Sequence, residues 1–245
     1  MTDRARMGKA REKKRFPDKI LHELFILLGF FVRHLNRSGM QRMAEAFGDF
    51  VFYVLRPRRR LVEGNLTLAF PEKSKKEITH IAKQVYRNQT VNFFEILRLP
   101  LLKNKKDAEE LVDINFDRLL KRTRSQNKGG VIVSAHFGNW ELMGVCISLL
   151  VSPMAVVAQR LKNTIINDDL EHIRSSHGNR VIYRHRALRE GLAFLQKGGL
   201  LTILGDQADP KGGFVMDFLG REASVYLGPA FLALKARVPL FVVMC

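Results

Sequence analysis

Short apolar runs alternate with longer stretches of helical pattern from residue 111 to the last residue, and this alternation most constrains the fold. The runs are LVDINF (111–116), GGVIVSAH (129–136), MAVVA (154–158), RVIYR (180–184) and GLLTILGD (199–206), with a last one inside ARVPLFVVMC (236–245). Such alternation is typical of α/β proteins, in which crossover helices connect the strands of one sheet. We therefore expect a mixed, largely parallel sheet flanked by helices. Because the last run looks like a buried strand, we also expect the chain to be a C-terminally truncated piece of its domain.

The N-terminal part has a different pattern, which favours amphipathic helices. A basic arm over residues 1–15 precedes the helical stretch 20–35, whose apolar face comprises Leu21, Leu24, Phe25, Leu28, Phe31, Val32 and Leu35. Only Leu24–Val32 is continuously apolar, which is short of the roughly 20 residues that a spanning helix needs. The pattern therefore predicts a helix that lies in the membrane interface.

A second helical stretch, residues 40–55, places its own apolar residues on one side and is followed by RPRRR (56–60). Apolar faces flanked by basic clusters suit an anionic bilayer surface. The alternative is that both helices cover only their own domain. We predict that residues 1–60 form the basic arm and interfacial membrane helices, and that residues 61–245 form the domain that carries the chemistry.

Charge and composition narrow the class of protein. The chain has 41 Lys and Arg against 24 Asp and Glu, a formal net charge of +17, which calls for an anionic partner or surface. Nucleic acid is disfavoured as that partner, because no binding motif is present and the 17 Phe greatly outnumber the 4 Tyr and 1 Trp. The two cysteines form neither a disulfide framework nor a zinc motif, so we expect no metal site and a reducing environment.

The stretch VIVSAHFGNWELMG (131–144) is the most informative, since it reads as a buried strand, a tight turn and a helix. His136 falls at the C-terminal end of the strand, where open α/β sheets bind ligands. Gly138 allows the turn, Asn139 is a candidate N-cap, and Glu141 follows in the first helical turn. The H-x4-E spacing lets the carboxylate orient the imidazole, which then removes a proton from an alcohol. The alternative is a structural histidine with a local carboxylate.

Three further polar residues are candidates for the site. Asp206 follows the apolar run LLTILG, so it lies near His136 if the two strands are parallel; its alternative role is that of a turn residue or helix cap. Arg174, on the helical stretch 163–177, and Arg160 just before it carry the donors that bind a phosphate or carbonyl oxygen. The alternative for both arginines is a solvated helix face.

Four motifs together resemble the bacterial lipid A biosynthesis acyltransferases. They are GNLTLAFPEKS (64–74), HFGNWE (136–141), GDQADPKGG (205–213) and DFLGREA (217–223), and the resemblance extends in order from about Leu21 to the last residue. It implies an enzyme on the cytoplasmic face of the bacterial inner membrane that moves a fatty acyl chain from acyl carrier protein, or acyl-CoA, to a hydroxyl of a lipid A precursor or related glycolipid. Neither a metal nor a redox cofactor is implied.

The resemblance also assigns roles to individual residues. His136 matches the general base and Glu141 its orienting carboxylate; Arg174 matches a motif arginine, Asp206 and Gln207 match a DQ pair, and Arg160 matches a further arginine. Arg174, or backbone amides near Asn139, are candidates for stabilising the oxyanion. Acceptors such as another lysolipid or a phosphoinositol mannoside stay open, as does an inactive, truncated membrane-binding homologue.

Overall fold

The computed structural model describes residues 3–113, 129–208 and 213–245. Its centre is a five-stranded sheet made of β1 (Gly130–Ser134), β2 (Ala155–Ala158), β3 (Arg180–Tyr183), β4 (Leu200–Leu204) and β7 (Leu240–Val242). The strand order is β3-β2-β4-β1-β7, and all paired strands run parallel. The predicted α/β architecture is thus confirmed. The antiparallel hairpin of β5 (Phe214–Phe218) and β6 (Arg221–Val225) was not predicted.

Four helices cover the two faces of the sheet. They are α6 (Trp140–Leu150), α7 (Thr164–Ser175), α8 (Ala187–Gln196) and α9 (Gly228–Ala236). Met143 and Ile147 of α6 pack with Ile132 of β1 in one apolar cluster. Leu195 of α8 and Leu232 of α9 pack with strand residues in another. Burial on both faces is the usual arrangement for a parallel sheet.

The helical layer that precedes the sheet packs on α6 and α7. Its elements are α1 (Asp3–His34), α2 (Arg37–Phe50), a π-helical turn (Val51–Leu55), α3 (Arg59–Ala69), α4 (Lys75–Arg98), a 3-10 turn (Leu99–Leu101) and α5 (Lys105–Glu109). Phe25 and Val32 of α1 join Phe94 of α4 and Val145 of α6 in one buried cluster. A capping box begins α4, since the Ser74 backbone N–H donates to Glu77 Oε2 at 2.9 Å and the Ser74 hydroxyl accepts the Glu77 backbone N–H.

Helix α1 differs from the sequence prediction in its extent and in its faces. It begins at Asp3, so the basic arm continues into the apolar helix. The predicted single apolar face is split: Phe25 and Val32 are buried in the protein, whereas Leu24 and Phe31 are exposed. Among the helices of the described ranges, none is long and apolar enough to cross a bilayer.

Two predicted segments lie partly outside the residues that the structure describes. Of the strand predicted at 111–116, residues 111–113 are turn or irregular backbone, and the remainder is outside the described residues. Residues 209–212 of the GDQADPKGG motif also lie outside the described residues.

Burial of Cys146 in α6 gives a test of this packing. The residue has no exposed surface, and burial raises the pKa of its thiol to about 11. At pH 8 only about one such thiol in a thousand is ionised. In a Cys245→Ser variant, we expect a maleimide to leave Cys146 unmodified at pH 8 until denaturant is added. Rapid labelling of the folded variant contradicts the packing of α6.

Candidate active site

His136 and Asp206 meet at the C-terminal edge of the sheet. Each lies two residues beyond the end of its strand, and the strands β1 and β4 are paired neighbours whose last residues, Ser134 and Leu204, are in register. Asp206 Oδ2 accepts the His136 backbone N–H at 3.0 Å, and Oδ1 lies 2.9 Å from the imidazole Nδ1. One carboxylate therefore fixes both the backbone and the ring. The expectation that the two residues emerge together is confirmed.

The protonation of the pair follows from these bonds. Partial burial raises the pKa of Asp206, but the hydrogen bonds from the His136 backbone and imidazole outweigh it, so the pKa lies below the ordinary 3.8. The carboxylate is therefore ionised at neutral pH, and the stability it contributes is lost only as the pH falls below about 4. An ionised carboxylate accepts, so Nδ1 carries a proton and Nε2 is left as the basic nitrogen.

The turn after His136 requires glycine at Gly138. Its φ is +58°, which is in the left-handed region, and a Cβ there would lie 2.2 Å from the carbonyl oxygen of Cys245. Asn92 of α4 donates to the Gly138 carbonyl at 2.6 Å. The helical layer thus holds the backbone of the turn directly.

Asn139 caps α6, as predicted, and also binds the helical layer. Its Oδ1 accepts the Leu142 backbone N–H at 3.0 Å, and its Nδ2 donates to Glu95 Oε2 at 2.7 Å. Because both ends of the side chain are engaged in these bonds, the side chain serves to position the turn.

Glu141 does not make the hydrogen bond that the H-x4-E spacing predicts, and this expectation is corrected. Its carboxylate binds the guanidinium of Arg174 from α7, with Nε at 2.9 Å from Oε2 and Nη2 bonded to Oε1. The bond to the imidazole is made by Asp206 instead. The physical reason is that a forked guanidinium offers a buried carboxylate two charge-assisted bonds, whereas the imidazole offers one.

The Glu141–Arg174 pair is mostly buried, with side-chain exposures of 14% and 24%. Burial lowers the pKa of Arg174, but the bonds to Glu141 outweigh it and the net pKa is raised. The arginine is therefore charged at all working pH values, and the pair ties α6 to α7 beside the cavity.

A cavity of about 350 Å³ opens at this edge of the sheet. His136 and Trp140 line it, and their rings are in edge contact with centroids 4.7 Å apart. The apolar residues that line it are Leu99, Met143, Val145, Val156, Val157, Ala158, Leu161, Leu170, Ile203, Leu204 and Ala208. A concave, largely apolar cavity with a few convergent polar groups is the usual form of a ligand site.

The remaining predicted residues lie around this cavity. Glu141, Arg174 and Gln207 line it. Arg160 is exposed and is flanked by the lining residues Gln159 and Leu161.

Several residues of the site were missed from the sequence. Trp140 had a usable signal, since it is the single tryptophan and lies inside the HFGNWE motif. Asn92 and Glu95, on α4, and Arg184 and Tyr226, in the cavity wall, had none, because their roles depend on contacts between distant segments.

The sequence matches the family described as bacterial lipid A biosynthesis acyltransferase over residues 7–245. The chain belongs to this family. Among curated proteins, it is 27% identical over 155 residues to a phosphatidylinositol mannoside acyltransferase of Mycolicibacterium smegmatis, covering 62% of this chain and 51% of that protein. A protein of the same name from Mycobacterium tuberculosis (strain CDC 1551 / Oshkosh) is 24% identical over 157 residues, covering 62% of this chain and 49% of its own length. The chain thus spans about half the length of these curated relatives of the acyltransferase family.

Removing the charge of Glu141 tests its structural role. We expect Glu141→Gln to lower the free energy of unfolding by about 3 kcal/mol, because it leaves the buried Arg174 without a counter-charge. Glu190→Gln is the matched control: its partners Arg180, Arg186 and Arg189 have exposed side chains, so we expect a loss under about 1 kcal/mol. Denaturant titration followed by circular dichroism measures both. Equal stabilities of the two variants contradict the role given to the Glu141–Arg174 pair.

Proposed function

We propose that the chain transfers a fatty acyl group from a thioester to a hydroxyl of a membrane glycolipid. The observation that carries the proposal is the imidazole of His136, whose Nδ1 is held by Asp206, at the wall of a largely apolar cavity. The arrangement leaves a basic nitrogen on a residue that lines a space suited to a fatty chain. Membership of the acyltransferase family supports the same reaction class.

In this mechanism the acceptor hydroxyl gives its proton to Nε2 of His136 while its oxygen attacks the thioester carbonyl carbon. Asp206 stabilises the imidazolium that forms. The tetrahedral intermediate then collapses with cleavage of the C–S bond. The thiolate leaves and takes the proton from the imidazolium, so that an ester and a thiol are produced and the imidazole is regenerated.

Two groups are candidates for stabilising the negative oxygen of the intermediate. Arg174 lines the cavity. Its guanidinium donates to the carboxylate of Glu141 through Nε and Nη2. The first amides of α6, after Asn139, lie at a helix N-terminus, whose dipole favours negative charge. Neither group needs to change its protonation to stabilise the developing charge.

The family and the relatives support a choice of donor and acceptor classes. We propose acyl carrier protein or acyl-CoA as the donor, with a lipid A precursor as acceptor or, as the second candidate, a phosphatidylinositol mannoside, the substrate in the names of the relatives.

Substitutions at the proposed base and its partner test the chemistry. We expect His136→Ala to lower kcat for acyl transfer by about 10³-fold, and Asp206→Asn by about 10²- to 10⁴-fold, because the imidazole loses its orienting carboxylate. His172→Ala, an exposed histidine on α7, is the control and should keep its activity. The assay follows thiol release with each donor and acceptor. Near-normal transfer by His136→Ala rejects the mechanism, and no transfer by the unmodified chain to any acceptor rejects the function.

We further propose peripheral attachment to the cytoplasmic face of the bacterial inner membrane through an N-terminal apolar surface. This surface comprises Ile20, Leu21, Leu24, Leu27, Phe30 and Phe31 of α1 with Phe47, Phe50, Tyr53, Val54 and Leu55 that follow, all exposed. So many large apolar side chains exposed on consecutive helical segments favour an interaction site. The basic stretch 56–60 comes directly after it, and Arg56 and Arg58 adopt left-handed backbone conformations.

Vesicle flotation tests this attachment. We expect the chain to float with phosphatidylglycerol vesicles, less with phosphatidylcholine vesicles, and less at high salt, since basic residues and buried apolar area both contribute. The double variant Phe30→Ser/Phe31→Ser should bind at least about tenfold more weakly. Leu188→Ser, an exposed apolar residue of α8, is the matched control and should bind normally. Equal binding by the two variants overturns the assignment of the N-terminal apolar surface.

A further inference from the structure

Two arginines lie beyond the ends of the two sheet strands farthest from β7. Arg160 follows the end of β2 by two residues, and Arg184 follows β3 directly. Strands β2 and β3 are paired in parallel, with Ala158 opposite Tyr183. Arg184 lines the cavity of the candidate active site, and Arg160 lies between two lining residues. The same edge that carries His136 and Asp206 therefore continues into a basic end.

Both guanidiniums rest on aromatic rings rather than on carboxylates. Arg184 Cζ lies 5.4 Å from the ring centroid of Tyr226, and Arg160 Cζ lies 5.7 Å from that of Tyr183. Tyr183 is itself fixed, since its hydroxyl accepts from Asn167 at 2.8 Å. Within the described ranges, neither arginine has an ion pair. A cation held on a ring is oriented but keeps its charge and its donors for a ligand.

The surroundings of Arg184 add positive charge. Arg186 and Arg189, which follow Arg184 in the chain, share the carboxylate of Glu190 with Arg180 from the start of β3. Arg184, His185 and Arg186 form the 3-10 turn that leads into the ten-residue helix α8. Cations at a helix N-terminus are unfavourable because the dipole is positive there. An anionic ligand at this end of the cavity relieves that repulsion.

We propose that Arg184, assisted by Arg160, binds a phosphate group of a substrate at the end of the cavity remote from His136. The proposal deepens the proposed function and rests on it for the identity of the substrate. The order of the strands places β3 three positions from β1, and neighbouring strands lie about 4.8 Å apart, so the backbone ends that carry Arg184 and His136 are roughly 14 Å apart across the sheet. The ligand class is a phosphate ester, carried by the glycolipid acceptor or by the phosphopantetheine arm of the donor.

Binding measurements that need no turnover test the site. Calorimetry on the full chain compares inorganic pyrophosphate, a short-chain phosphatidylinositol mannoside, its phosphate-free mannoside counterpart and phosphopantetheine. We expect Arg184→Ala to weaken pyrophosphate binding by about tenfold or more, and Arg184→Lys to retain part of it. Of the two phosphorylated substrate fragments, the one whose affinity falls with Arg184→Ala is the source of the phosphate. The affinity for the phosphate-free counterpart should not change.

Arg189→Ala is the matched control, because Arg189 is 83% exposed in its side chain and is paired with Glu190. It should bind pyrophosphate as the unmodified chain does. Equal weakening by Arg184→Ala and Arg189→Ala, or none by Arg184→Ala in a chain with an unchanged circular dichroism spectrum, overturns the site. In transfer assays we expect Arg184→Ala to raise KM for the phosphorylated substrate and to leave kcat nearly unchanged. If the unmodified chain shows no transfer, yet Arg184→Ala loses pyrophosphate affinity, the proposed function fails while the anion site stands.

Discussion

The hydrogen bonds between His136 and Asp206 join residues that are 70 positions apart in the chain, and the candidate site depends on them. They exist because β1 and β4 are parallel neighbours in register, so that the residue two beyond each strand emerges at the same edge. A slip of one residue between these strands would send one side chain to the other face of the sheet. The buried cores on both faces of the sheet therefore maintain the geometry of the imidazole.

Two carboxylates near the imidazole have separate tasks. Asp206 orients the ring and stays ionised, whereas Glu141 neutralises the buried guanidinium of Arg174 and ties two helices together. The helical layer adds a third constraint, since Asn92 and Glu95 of α4 bind the turn that follows His136. A layer that offers an apolar surface to the outside thus also supports the proposed chemistry. On this account, a loss of activity on changing Glu141 reports on the cavity wall rather than on proton transfer.

Much of this arrangement was predictable from the sequence, and there are physical reasons why the remaining contacts were not. Apolar runs in alternation with helices indicated the parallel sheet, and strand ends indicated that Asp206 lies near His136. The H-x4-E spacing predicted a hydrogen bond between Glu141 and the imidazole. No local pattern shows that Arg174, which is 33 residues from Glu141, makes the stronger bond. Helix α1 is apolar on more than one side, so periodicity did not separate its buried face from its exposed one. Contacts between distant segments, such as those in the cavity wall, leave no periodic signal.

The central claim is that Asp206 holds the proton of Nδ1 on His136 and leaves Nε2 free to act as a base. Nitrogen-15 NMR of the chain labelled at histidine tests it most directly, because the two ring nitrogens of a neutral imidazole differ strongly in chemical shift. The account predicts a protonated Nδ1 and an unprotonated Nε2 for His136, a pattern that persists in Glu141→Gln and is lost in Asp206→Asn. A protonated Nε2 in the unmodified chain, or a pattern that depends on Glu141 and not on Asp206, contradicts it.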